Sequence, residues 1–283
     1  MRRFSVGALV VIALAGCGAT AQPGHRRQTP PAGRTHEAKH LAFRRGALVA
    51  NATPQPSWRS YTGPVPILVY HELGTAPPGA PFPGLYVSDQ DFSAEMAWLH
   101  VNGYQAVTLD EVMRAWYHGG TLPGKPIVIT FDNGYLPQVT EAPRVMSGYG
   151  WPGVLNEITE NHLTPPQIRS VLALGWEVDS HSLTHPDLTK LGAGGLWAQL
   201  YDSREYLRRT FHIPANSFCY PSSRYDATVV AAVKRAGYTN AVTEHAGYAT
   251  RSEPYLLPRF EIESGVSELA ADLRDYRPPG YRS

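Results

Sequence analysis

Six short apolar runs, each too brief for a helix, recur along this chain with helix-length segments between them. That alternation narrows the possible folds more than any other feature. The runs cover residues 65–70, 127–131, 153–157, 176–180, 217–220 and 239–243, are rich in apolar and β-branched residues, and are bounded by Gly, Pro or polar residues. Such runs read as buried strands. Between them, Phe92, Met96 and Leu99 share one helical face before Gly103 stops the turn. Asp110 is expected to cap a segment reaching Tyr117, and residues 194–210 and 226–235 are long enough for three or more turns. Strand and helix in alternation imply a parallel sheet with helices outside it. In such sheets chemistry collects at the C-terminal ends of the strands, and His71, Asp132, His181 and Pro221 each fall just past the end of an expected strand.

Of 283 residues, 43% are hydrophobic and only 17% charged, which is ample apolar material for one large core. The net charge of +1 hides an asymmetry. Residues 18–62 hold seven Lys or Arg against the single acid Glu37, which leaves residues 63–283 with sixteen basic and twenty-three acidic side chains, a net of −7. No nucleic-acid partner is expected for a domain of that sign.

The N-terminus reads as an export signal. Arg2 and Arg3 precede an apolar stretch, residues 4–16, that is short for a bilayer span, and Leu14-Ala15-Gly16-Cys17 ends it with small residues before a cysteine. This resembles a bacterial lipoprotein signal, in which Cys17 becomes the lipidated N-terminus; the alternative is an ordinary signal peptide with Cys17 incidental. Residues 1–17 are thus expected to be removed or anchored, 18–62 to form a Pro- and Arg-rich tether, and 63–283 to form the catalytic domain. Only Cys219 then remains in that domain, so no internal disulfide is expected, and its thiol reads as strand packing.

Asp132 lies in Thr130-Phe131-Asp132-Asn133-Gly134, and 49 positions later begins His181-Ser182-Leu183-Thr184-His185. Two imidazoles four apart, converging with an acidic strand end, are what a divalent metal site with an open position for water requires. A histidine pair alone would read equally as a wet helix face.

Residues 127–135 and 175–186, the run Cys219-Tyr220-Pro221-Ser222, Pro66 to His71, and Leu257-Pro258-Arg259 together resemble the polysaccharide deacetylase family, also called the NodB-homology or carbohydrate esterase 4 family. The five segments stand in the family's order over roughly residues 63–262. The resemblance implies an α/β fold, an irregular, incompletely closed (β/α) barrel. It also implies a metal-dependent hydrolase, cleaving carbon–nitrogen bonds other than peptide bonds, that removes N-acetyl groups from an N-acetylglucosamine-containing polysaccharide of the envelope or exterior. In that reading Asp132 is the base, His181 and His185 bind a divalent ion such as Zn²⁺, and the backbone N–H of Ser222 cradles the oxyanion. Tyr135, Tyr220 and Pro221 would line the substrate site, with Trp151 and Tyr225 as further candidates to stack on sugar rings.

This sequence departs from the family pattern in three places. Where the family has a second aspartate as metal ligand, Asn133 offers a neutral amide, so occupancy should weaken while a bound ion's acidity is kept. Deamidation of Asn133-Gly134 would restore the carboxylate. Asp179, on the inward side of its strand with His181 by the two-residue period, is a candidate to supply the missing charge. The third motif lacks the family's base-orienting arginine, with only Arg224 nearby, and Arg259 occupies the place of an expected histidine acid, which leaves His71 as the preferred general acid or else a structural histidine. The combined expectation is a monomeric, lipid-anchored, extracytoplasmic deacetylase acting on an N-acetylated glycan. The alternatives are a carbohydrate-binding relative weakened through Asn133, and a polysaccharide-export scaffold whose tether binds a partner.

Overall fold

The structure is a computed structural model that describes residues 48–160, 162–263 and 265–278. Cys17, the expected signal and most of the expected tether lie outside the described residues. Among those described, no helix is long and apolar enough to cross a membrane.

Six parallel strands lie side by side in chain order: Val65–Tyr70, Pro126–Asn133, Val154–Glu157, Glu177–Ser180, Ser217–Cys219 and Asn240–Val242. Every expected run is a strand. The segment after Leu257 then turns back toward the first of them. Leu257 bridges to Val242, and Phe260–Glu261 pairs in parallel with Val65–Tyr70. One short segment thus spans the gap between first and sixth strands, and the curled sheet is incompletely closed.

The strand period of two sorts side chains into separate cores. Val65, Ile67, Val128, Val154, Cys219, Val242 and Leu257 form an inner cluster with Val112 and Trp116 of the helix Leu109–Tyr117. Leu68, Tyr70, Ile129, Phe131, Leu155 and Val178 point the other way, beneath Phe92, Met96 and Leu99 of helix Asp89–Val101 and Ile168 of helix Pro165–Leu172. Each fully buried side chain of this size contributes about 1.5–3 kcal/mol.

Two expectations are corrected. Asp110 lies in the first turn of the helix Leu109–Tyr117, and the cap is Thr108, whose Oγ1 accepts from Glu111 N while Glu111 reaches back to Thr108 N. The domain also starts earlier than residue 63. Val49 N donates to Leu174 O, Asn51 Nδ2 donates to Ala106 O, Arg59–Ser60 pairs with Thr121–Leu122, and Trp58 and Tyr61 are buried in the inner cluster. The prolines of this stretch suggest a spacer, but its apolar side chains anchor it to the barrel.

Candidate active site

The C-terminal ends of the strands gather one polar cluster around Asp132, which is wholly inaccessible to solvent. Its Oδ1 accepts from Asn156 Nδ2 at 2.7 Å and Arg259 Nη1 at 2.8 Å; its Oδ2 accepts from Arg259 Nη2 at 2.6 Å and the Cys219 thiol at 3.2 Å. Burial alone would raise the pKa of this carboxyl, but the charge and hydrogen bonds of Arg259 overcome it and hold Asp132 well below the usual carboxylate range. The guanidinium is as fully occupied as its partner. Its Nε donates to Thr243 O, Nη1 also to Thr130 Oγ1 and Nη2 also to the Cys219 sulfur, so all of its donors are used. Gln138 Nε2 donates to the carbonyls of both His71 and Asp132, which ties two strand ends together.

Beside this pair stand groups with polar atoms that have no partner among the described residues. Asn133, at the last position of its strand with φ 79°, donates its Nδ2 to the Tyr135 hydroxyl at 3.2 Å, which leaves its buried Oδ1 unpaired. His181, one residue past its strand, sets Nδ1 against Cys219 O at 2.9 Å, and its buried Nε2 has no partner. A carbonyl fixes that ring with Nδ1–H as donor and Nε2 as a free lone pair. Burial lowers the His181 pKa to about 3, so the imidazole is neutral. The His185 ring centre lies 4.6 Å from that of His181, and burial lowers its pKa as well. An amide oxygen and two neutral imidazoles, two of the three with orphaned buried atoms, fit a divalent cation. Asp132, His181 and Cys219 also place ligand atoms within 4.8 Å of one another. That grouping is the poorer cation site, because Arg259 and Asn156 occupy Asp132, and burial raises the Cys219 thiol well above its ordinary value so that it stays protonated.

Ser222 and Ser223 follow Pro221 in left-handed backbone at φ 49° and 53°, conformations that L-residues adopt only under constraint. Ser223 N donates to Tyr220 O and Arg224 N to Pro221 O, whereas no partner is described for Ser222 N–H. His71 is buried directly after its strand, with Nε2 at 3.9 Å from Glu244 Oε1 and Nδ1 at 3.6 Å from Glu261 Oε1.

The remaining expected residues divide. Tyr135 is half-buried beside His162, at a ring separation of 6.5 Å. Tyr220 is corrected: its ring is buried in a core cluster and its hydroxyl donates to Tyr255 O, so it has no face for a sugar. Trp151 is buried likewise, and Pro221 is buried as part of the turn. Asp179 is also corrected. Its register with Asn156 and Asp132 puts it on the inward side, as expected. Yet its Oδ1 accepts from Ser217 N at 2.9 Å and its charged neighbours include Glu177, Asp110 and Arg204, not the histidine pair. Two residues before His181, it lies one layer deeper in the barrel. Arg224 pairs with Asp187 at the surface, so the arginine that orients Asp132 is Arg259. Sequence reading missed Asn156, Gln138 and Glu244. Asn156 alone carried a usable signal, a polar residue following Val154 and Leu155 in a short, buried central strand.

Residues 119–241 match the family described as polysaccharide deacetylase. The chain is 30% identical over 212 residues to the putative polysaccharide deacetylase YxkH of Bacillus subtilis (strain 168), covering 73% of this chain and 74% of that protein. It is 24% identical over 221 residues to the poly-beta-1,6-N-acetyl-D-glucosamine N-deacetylase of Escherichia coli (strain K12), covering 61% of this chain but only 33% of that protein. Among solved structures, the Streptococcus pyogenes deacetylase PplD in complex with acetate superposes with a TM-score of 0.70 at 24% identity, covering 77% of this chain and 100% of that one, a likeness of fold.

Proposed function

Because the chain belongs to the polysaccharide deacetylase family, we propose that it hydrolyses N-acetyl groups on an N-acetylglucosamine-containing polysaccharide of the envelope or exterior. The observation that carries this reading is a buried, ionised Asp132 whose carboxylate lies close to His181, together with the unpaired ligand atoms Asn133 Oδ1 and His181 Nε2. A purely sugar-binding relative has no need of a buried, fully compensated charge beside unsatisfied ligand atoms.

In this reading Asp132 accepts a proton from the attacking water as the water oxygen bonds the acetyl carbon. Held so far below its usual range, Asp132 is a weak base, which suits a water whose own pKa has been lowered. Asn133 Oδ1, His181 and His185 would hold a divalent cation, for which we propose Zn²⁺, and such an ion when bound polarises the acetyl oxygen and brings its water to a pKa of about 7. The N–H of Ser222 donates to the oxyanion. His71 gives a proton to the nitrogen as the carbon–nitrogen bond breaks, leaving acetate and a primary amine. Tyr135 holds the Asn133 amide with its oxygen toward the site.

We further propose that the protein is exported and anchored through Cys17, on the strength of the Leu14-Ala15-Gly16-Cys17 run. The decisive experiment measures acetate released from acetylated chitooligosaccharide and from a β-1,6-linked N-acetylglucosamine oligomer, before and after chelator and on restoring Zn²⁺. Chelator-sensitive release supports the reading, and sugar binding without release replaces it with the binding-only alternative.

A further inference from the structure

Asp132 is the common member of two groups of close ligand atoms: one with His181 and Cys219, the other with His71 and Glu244, whose atoms all lie within 4.8 Å of one another. The second group contains a carboxylate that the reaction as described leaves idle. Glu244 lies two residues past the strand Asn240–Val242, and its backbone N–H donates to Ser223 Oγ, which fastens it to the strained turn behind Ser222. Its side chain is only 20% exposed, yet among the described residues its carboxylate accepts no hydrogen bond, and the His71 imidazole, whose Nε2 lies 3.9 Å away, is held toward its neutral form by burial. Arg259, the cation here, has every donor committed elsewhere. Burial and then the charge of Asp132 push the Glu244 pKa up to about 7. A carboxylate so enclosed without donors has an electrostatic deficit that a cation from outside the protein would relieve.

The position of that cation follows from the chemistry. The leaving nitrogen must lie within reach of His71, which protonates it, and its former acyl carbon within a water's reach of Asp132. Glu244 faces both. We propose that Glu244 is a substrate-binding residue that receives the leaving nitrogen as an N–H donor in the amide and as an ammonium ion in the product. Its anionic charge favours the amine form over the acetylated form. This rests on the deacetylase reading above and assigns the site a second ligand chemistry, a primary alkylammonium on a sugar ring. Glu261 serves as an internal control. It lies slightly nearer to His71, at 3.6 Å, but faces Nδ1, on the other side of the imidazole.

The test compares calorimetric binding of a glucosamine tetramer and of its fully acetylated counterpart to the full-length wild type, E244Q and E261Q. The proposal expects E244Q to weaken glucosamine binding tenfold or more and acetylated binding less than twofold, with E261Q leaving the ratio of the two unchanged. A serine variant, E244S, should repeat the result if E244Q is poorly folded. Equal losses for both ligands, or the same loss in E261Q, would overturn the proposal, as would loss of a bound metal ion from E244Q by metal analysis. If the wild type binds the acetylated tetramer and not the amine, the inference alone fails; if it binds neither and releases no acetate, the deacetylase reading fails with it.

Discussion

Arg259 and Asp132, 127 residues apart in sequence, meet as a two-pronged ion pair with N–O distances of 2.6 and 2.8 Å and no solvent access to either side chain. Removing one partner of such a pair strands the other, at a cost of about 3–5 kcal/mol, whereas removing both is far milder. Arg259→Met should therefore lower unfolding free energy by about that amount in denaturant titration, and the double variant with Asp132→Leu should recover most of it. Because the Asp132 pKa is depressed in the fold, its contribution is complete above the unfolded value of about 3.9 and declines as pH falls below it. The loss on Arg259→Met should accordingly shrink at low pH; a loss independent of pH would refute the assignment.

Glu157 gives the opposite dependence. It is buried, Leu163 N donates to its Oε1, its Oε2 is unpaired, and burial raises its pKa to about 8. The folded protein keeps a proton that the unfolded chain releases, so this residue erodes stability as pH rises from about 4.5 through 8. Glu157→Gln should match wild type near pH 4.5 and exceed it by about 3–5 kcal/mol at pH 8–9. Identical unfolding curves at the higher pH would contradict this.

Gly134 follows Asn133 at φ 87°, and a Cβ there would lie 2.1 Å from Glu157 Oε2. Left-handed backbone costs a side chain about 1–2 kcal/mol before any clash. Gly134→Ala should lose at least about 2 kcal/mol and should displace the Asn133 amide. Metal content of the purified variant is the sensitive readout, with a fall below wild type expected.

Asn133→Asp should tighten divalent metal binding tenfold or more in a competition titration with a chromogenic chelator, since a carboxylate adds charge at a ligand atom already in place. Tyr135 would then face an anion and donate its hydroxyl proton to it. Unchanged affinity would mean that Asn133 Oδ1 is not a ligand.

The strands were legible in sequence because each is short, carries buried apolar residues and is bounded by Gly, Pro or polar residues; all six appear with ends shifted by two residues or fewer. The His181 and His185 pair and Asp132 were legible as residue types at strand ends. Arg259 was noticed but misread, because the role of a long side chain depends on where its strand enters the curl. Its guanidinium supplies, from a different part of the chain, the base-orienting cation that the third motif lacks. Asp179 shows the limit of periodicity: a two-residue repeat gives the side of a sheet but not the depth along it. Glu244 had no local signal, since its character comes from three other strand ends.

The segment from Leu257 to Glu261 bears on the order of assembly during synthesis. A ribosome delivers Asp132 more than a hundred residues before Arg259. Until the late segment emerges and inserts across the gap, the nascent sheet carries an anion it has no means to neutralise, and that strand end should stay hydrated and unsealed. Catalytic competence and closure of the interior would then arrive in a single late event, sparing the cell a half-built hydrolase.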